Sequence, residues 1–160
     1  MHEKKFYIAY GSNLSVNQMS ARCPEARIVG KSILKDWKLV FKYHADIEPC
    51  EGETVQVLIW EISENDEQRL DLYEGYPFYY IKKDLNITVT DLSGNDPREI
   101  TAMVYVMNKG HKIQPPARSY YDVLKEGYGR FGFDEEPLKN ALNEARQAQK
   151  ADNGGTEWNL

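Results

Sequence analysis

The chain has 160 residues, 41% hydrophobic and 28% charged, the balance of one folded domain long enough to bury a core. Its 20 Lys and Arg against 25 Asp and Glu leave a net charge of −5, so no basic excess exists to neutralise phosphates and a nucleic-acid partner is not expected. No run of residues approaches membrane-spanning length, and Met1-His2-Glu3-Lys4-Lys5 leads straight into the first strand without the apolar stretch of a signal peptide, so a cytoplasmic protein is expected.

In chain order, Phe6-Tyr7-Ile8-Ala9-Tyr10 is aromatic and β-branched and stops abruptly in Gly11-Ser12-Asn13-Leu14, which predicts a short central strand closed by a tight loop. Gly11 admits positive φ and a close approach of a ligand to the backbone. Ser12 and Asn13 bond to local backbone, and loops of this kind can point successive N–H groups into one concavity suited to an anion or a developing oxyanion. The same residues also make a plain turn into the next helix. A Walker loop is excluded, because the chain continues Leu14-Ser15-Val16 where a Lys would be needed.

Ser15 or Asn17 is placed to cap a short helix to about Arg22, which Cys23-Pro24 ends. Arg27 to Leu34 and Lys38 to His44 read as strands with a turn near Lys35-Asp36-Trp37, and Asp46 to Glu53 as a charged loop. Thr54 to Ile62 is apolar enough for a central strand. Cys23 and Cys50 lack metal-ligand spacing and His2, His44 and His111 are scattered, so no metal or other cofactor is expected and both thiols read as free. The 11 Tyr suit a pocket for a small polar ligand, although aromatic strands account for most of them.

Ser63 is a good N-cap, with Asp66 at N3 and acidic residues in the first turn of a helix from Glu64 to about Tyr73, whose Leu70 and Tyr73 share one face. Glu74-Gly75-Tyr76-Pro77 ends it. A carboxylate at Glu74 meets the negative end of the helix dipole, which raises its pKa and breaks the local preference for Lys or His. That is either a functional exception or a solvent-facing side chain that costs a few tenths of a kcal/mol.

Tyr79 to Asp91 and Ile100 to Met107 form a hairpin around Asp91-Leu92-Ser93-Gly94-Asn95-Asp96-Pro97. Pro115-Pro116 sets up a helix from about Ala117 to Glu126 that Gly127 ends. A last helix runs from near Asp134 to about Lys150 with Leu138, Leu142 and Ala145 inward. Residues 1–150 thus read as a single domain and residues 151–160 as a flexible tail, with Trp158 a candidate to dock on the domain.

Three of these segments carry a resemblance. Tyr10-Gly11-Ser12-Asn13-Leu14 resembles the Tyr-Gly-Ser-Asn-Leu signature of the γ-glutamylcyclotransferase family. Leu70-Asp71-Leu72-Tyr73-Glu74-Gly75, followed by Tyr79-Tyr80, is similar to its second signature. Pro116-Ala117-Arg118-Ser119-Tyr120, with Gly127 seven residues after the Tyr, is similar to its third, with Ala117 in place of the usual Ser. The resemblance covers about residues 6 to 142; Val57 stands where the family often has Gly and Trp60 where it often has Tyr.

The resemblance implies an α+β fold with a small, strongly curved or barrel-like mixed sheet and surrounding helices. A doubly wound Rossmann sheet is the competitor, disfavoured by the hairpin and the missing Gly-x-Gly-x-x-Gly fingerprint. It further implies an enzyme that closes a small γ-glutamyl substrate on itself to 5-oxoproline, with Glu74 as catalytic acid/base. Tyr10, Gly11, Ser12, Asn13, Leu14, Tyr80 and Tyr120 would hold the substrate. A binding module without catalysis, or a γ-glutamyl hydrolase or transferase, is the alternative.

Overall fold

The computed structural model describes residues 4–157, with side chains as far as residue 153. The elements in order are β1 (Lys5–Ala9), a 3₁₀ turn (Ser12–Leu14), α1 (Val16–Arg22), β2 (Arg27–Lys42) and β3 (His44–Ile62). After these come α2 (Glu64–Glu74), β4 (Tyr80–Val89), β5 (Arg98–Met107), α3 (Arg118–Arg130) and α4 (Glu136–Glu157).

One five-stranded sheet has the order β2-β3-β1-β5-β4. The apolar run of β1 lies at its centre because it has a partner on each side, antiparallel β3 and parallel β5. The sheet curls until its two edges touch: Lys31 and Thr90 exchange both backbone hydrogen bonds at 3.0 Å, and Ser32 Oγ donates to the Thr88 carbonyl at 2.6 Å. That contact is one bridge long, so the expected curved mixed sheet with surrounding helices is present without closing into a barrel. Ile8, Leu58, Ile59 and Val104 of the sheet are fully buried and belong to one hydrophobic core with Leu124 of α3 and Leu138 of α4. Each such side chain contributes about 1.5–3 kcal/mol by leaving water.

The first hairpin departs from expectation. Arg27 to Lys42 is one strand, and Asp46 to Glu53 belongs to β3 instead of forming a loop. Asp36 does take a positive φ of 65°, but its Oδ1 accepts the Gly52 N–H at 3.0 Å, which makes a bulge at Lys35/Trp37 and leaves the chain running on. The reversal comes at Tyr43, with φ 68°. Pro49 is tolerated because β1 pairs β3 only from Leu58 onward, leaving one side of β3 at Pro49 without a ladder to interrupt.

Ser63 caps α2 in a reciprocal capping box with Asp66, and Gly75 ends it at φ 68°, ψ 33°, a left-handed conformation that costs glycine nothing. Leu70 is buried, whereas Tyr73 is 47% exposed, so these two do not share a buried face. Gly127 lies inside α3 and does not end it; the helix continues to Arg130. α4 starts at Glu136 and extends past Lys150 to Glu157. The expected docking of Trp158 falls outside the described residues. Among the described residues no helix is long and apolar enough to cross a membrane.

Candidate active site

Where β1 ends, the turn Gly11-Ser12-Asn13, the end of α2, the start of β4 and α3 enclose a cavity of about 390 Å³. The sequence-selected Tyr10, Gly11, Ser12, Asn13, Glu74, Tyr80 and Tyr120 all line it, although they come from four separate parts of the chain. Leu14 does not. It is fully buried on the other side of the turn, against Gly127, where a Cβ would lie 2.6 Å from the Leu14 Cβ. Gly11 is needed for close approach and not for positive φ: its φ is −118°, and a Cβ there would meet Tyr120 Oη at 3.2 Å.

The turn is clamped from behind. Asn13 Nδ2 donates to Tyr7 Oη (2.9 Å), Arg22 donates to Asn13 Oδ1 (2.5 Å) and Ser12 Oγ (3.2 Å), and Trp60 Nε1 donates to the Asn13 carbonyl (3.0 Å). Asn13 is therefore 2% exposed with its side chain satisfied. The turn is closed by the Leu14 N–H on the Gly11 carbonyl and the Ser15 N–H on the Ser12 carbonyl, both at 3.0 Å. The N–H groups of Gly11, Ser12 and Asn13 donate to no acceptor among the described residues, which leaves successive donors at the cavity wall.

Glu74 is placed by the anchoring of α2. Leu70 roots the helix in the core, and Asp71, one turn before Glu74, accepts Tyr105 Oη (2.6 Å) and pairs with Lys82 (2.8 Å). Glu74 itself makes no hydrogen bond or ion pair among the described residues. Burial lifts its carboxyl from the ordinary 4.5 to about 7, against the opposing pull of the Arg22 guanidinium. The upward direction was expected from the helix terminus, but its cause here is loss of water around a half-buried carboxylate.

Seven of the 11 tyrosines line the cavity. Tyr10 Oη donates to the Tyr105 carbonyl (2.6 Å) and Tyr80 Oη to the Ala45 carbonyl (2.8 Å), so both serve mainly as walls. Tyr120 differs: its oxygen accepts the Ala45 N–H (3.0 Å), and burial keeps the phenol protonated, so its own proton is available to a ligand. Tyr79 and Tyr80 both face the cavity, whereas Tyr121 packs away from it against Phe41. Tyr120→Phe would leave the buried Ala45 N–H unpaired and is expected to lower stability by about 1–3 kcal/mol, read from urea unfolding. An unchanged midpoint would mean that water replaces the hydroxyl.

Sequence reasoning missed Tyr7, Tyr73, Tyr105 and His44 in the wall and Arg22 and Trp60 behind the turn. Trp60 had one signal, its standing where the family often has Tyr; Arg22 had none, because its contact depends on how α1 folds back. Among the described residues no group of His, Cys, Asp and Glu is placed to hold a metal ion.

The profile of the family described as gamma-glutamyl cyclotransferase, AIG2-like, matches residues 7–126, which include the turn, Glu74 and Tyr120. The chain belongs to this family. A gamma-glutamylcyclotransferase of Mus musculus is 27% identical over 147 residues, covering 84% of this chain and 75% of the relative, and one of Bos taurus is 28% identical over 138 residues, covering 78% and 70%. A solved structure called gamma-glutamyl cyclotransferase superposes with a TM-score of 0.75 at 24% identity, covering 87% of this chain and 86% of that one, and shows the same fold. An uncharacterized Homo sapiens protein superposes at 0.70 with 26% identity, covering 87% and 86%. The expected membership in a family of γ-glutamylcyclotransferase enzymes is thus borne out.

Proposed function

We propose that the protein cyclises a small γ-glutamyl amide to 5-oxoproline and a free amine, with Glu74 as acid/base. The observation that carries this is Glu74 itself, an unpaired carboxyl with a pKa of about 7 in the cavity that also holds the free N–H groups of the turn.

The substrate's α-ammonium gives a proton to the Glu74 carboxylate, and the freed amine nitrogen attacks the γ-carbonyl carbon. A C–N bond forms to close the five-membered ring, and the carbonyl electron pair moves to oxygen. Collapse of this intermediate breaks the original amide C–N bond, and the departing nitrogen takes the proton from Glu74. Atoms balance without water, and the glutamic acid ends as it began. The nucleophile is tethered to its target, so holding the glutamyl chain folded supplies much of the acceleration. The turn N–H groups suit either the α-carboxylate or the γ-oxyanion, and the Tyr120 hydroxyl is a further donor. Composition supports a cytoplasmic protein without a nucleic-acid partner.

The base acts in its ionised form, so kcat/KM is expected to rise with pH and to inflect near 7, with activity lost as pH falls below it. Chromatographic measurement of 5-oxoproline from a γ-glutamyl substrate between pH 5 and 9 checks this. An inflection near the ordinary carboxyl value would remove Glu74 from the role.

A further inference from the structure

A second cavity, of about 710 Å³, opens between the two edge strands of the sheet and shares no wall residue with the cavity at Glu74. β2 and β4 meet at the Lys31/Thr90 bridge and then part, and this cavity occupies the gap. The N–H and C=O of Lys31 both point across to β4. Main-chain direction repeats at every second residue of a strand, so those of Ile33 and Lys35 point the same way, and on the other lip those of Thr88 and Asn86 follow Thr90. Ser32 Oγ takes the Thr88 carbonyl at 2.6 Å, in keeping with that direction. Past Lys31 and Thr90, no backbone-to-backbone bond crosses the gap among the described residues. Two facing edges with free donors and acceptors are a template for an extended chain.

The side chains around the gap define what that chain carries. Lys31, Ile33 and Lys35 alternate with the buried Ser32 and Leu34, so they share the outer face of β2, where Ile33 is 58% exposed. The cavity wall holds both lysines and no Asp or Glu, although the chain has a net charge of −5. Neither lysine makes an ion pair among the described residues. The rest of the wall is largely apolar, with Leu34 and Phe133 in the core and Leu85 and Ile87 packed against it.

We infer that an extended segment of a partner protein, alternating acidic and apolar residues, adds as a strand in this gap. Its main chain bonds the free groups of Ile33 and Lys35 on β2 and of Asn86 on β4. Its carboxylates lie beside Lys31 and Lys35 on the outer face, and its apolar side chains, which point the opposite way, cover Leu34, Leu85 and Ile87. A lipid chain fits the same apolar wall less well, because it would bury the main-chain groups of both edges without partners. The site is separate from the chemistry at Glu74 and holds whether or not that reading does.

The probe is a short, fluorescently labelled peptide alternating Glu and Val, with blocked ends, titrated with the full chain and followed by fluorescence anisotropy. We expect saturable binding, with slower amide exchange at Ile33 and Asn86 in the complex. A peptide alternating Lys and Val, and a Glu/Val peptide N-methylated at its valines, are each expected to bind at least about tenfold more weakly. So is the Glu/Val peptide to the Lys31→Glu, Lys35→Glu double variant, whose fold is checked by circular dichroism. Equal binding of the Lys/Val peptide overturns the acidic partner, and equal binding of the N-methylated one overturns strand addition. Absence of binding overturns the proposal and leaves the lysines as charges that keep the edges from pairing. Self-association of the protein in sedimentation, abolished in the double variant, would assign the gap to a second copy and overturn it as well.

Discussion

Glu74→Gln is expected to lower kcat for 5-oxoproline formation by about 10³-fold, within the range for losing a general acid/base, while making the folded protein more stable at pH 8. The amide keeps the shape of the side chain and cannot cycle a proton. Its stability gain follows from the same burial that tunes the acid. The carboxyl pKa is about 7 in the folded chain against 4.5 ordinarily, so the native state favours the protonated form. That contribution is present in full below about pH 4.5 and is lost as pH rises through 7, which leaves a penalty on the order of 3–4 kcal/mol above pH 8 at about 1.4 kcal/mol per pKa unit. Gln carries no such penalty. Thermal unfolding should therefore separate the two proteins at pH 8 and bring them together near pH 4.5, and a variant no more stable at pH 8 would show that the carboxylate is well solvated. Unchanged turnover would end the assignment of Glu74.

Gly127→Ala is expected to destabilise the fold by about 1–3 kcal/mol and to lower kcat/KM by about 10²-fold. Helix propensity alone favours the alanine by roughly 1 kcal/mol. The tertiary contact reverses that sign. The new Cβ would lie 2.6 Å from the Leu14 Cβ and 3.3 Å from its carbonyl oxygen, and Leu14 is fully buried with nowhere to retreat. Leu14 ends the turn that presents the N–H groups of Ser12 and Asn13, so displacing it moves the donors that would grip the substrate. Gly129→Ala in the same helix has open space around its Cβ and serves as the control, with an expected gain or no change. Urea unfolding and initial rates of the two variants check the pair. If both behaved alike, the packing of α3 on the turn would be looser than 2.6 Å implies.

Local chemistry made several features readable before any coordinates. The β1 run and its sudden stop, the Ser63/Asp66 capping box, the Gly75 terminus and the hairpin around Gly94 depend on residues a few positions apart, and each appears where the pattern put it. Glu74 was conspicuous because it violated a local rule, and functional groups tend to do so. The errors fell where a distant partner overrides a local signal. Asp36 looks like a turn, but Gly52 captures its side chain and the strand runs on. Gly127 looks like a helix stop, but it is a point of contact with a turn far away in sequence.

The sequence by itself determined the family, the mixed α and β character and the identity of the acid/base candidate, since signatures and caps are local strings of residues. Only the tertiary structure decided what surrounds that acid. Tyr7, Tyr73, Tyr105 and His44 join the wall, Arg22 and Trp60 hold the turn, and Leu14 is removed to the core. A pKa near 7 follows from water excluded by side chains drawn from across the chain, and desolvation is a property of the assembled cavity that no short stretch of sequence encodes.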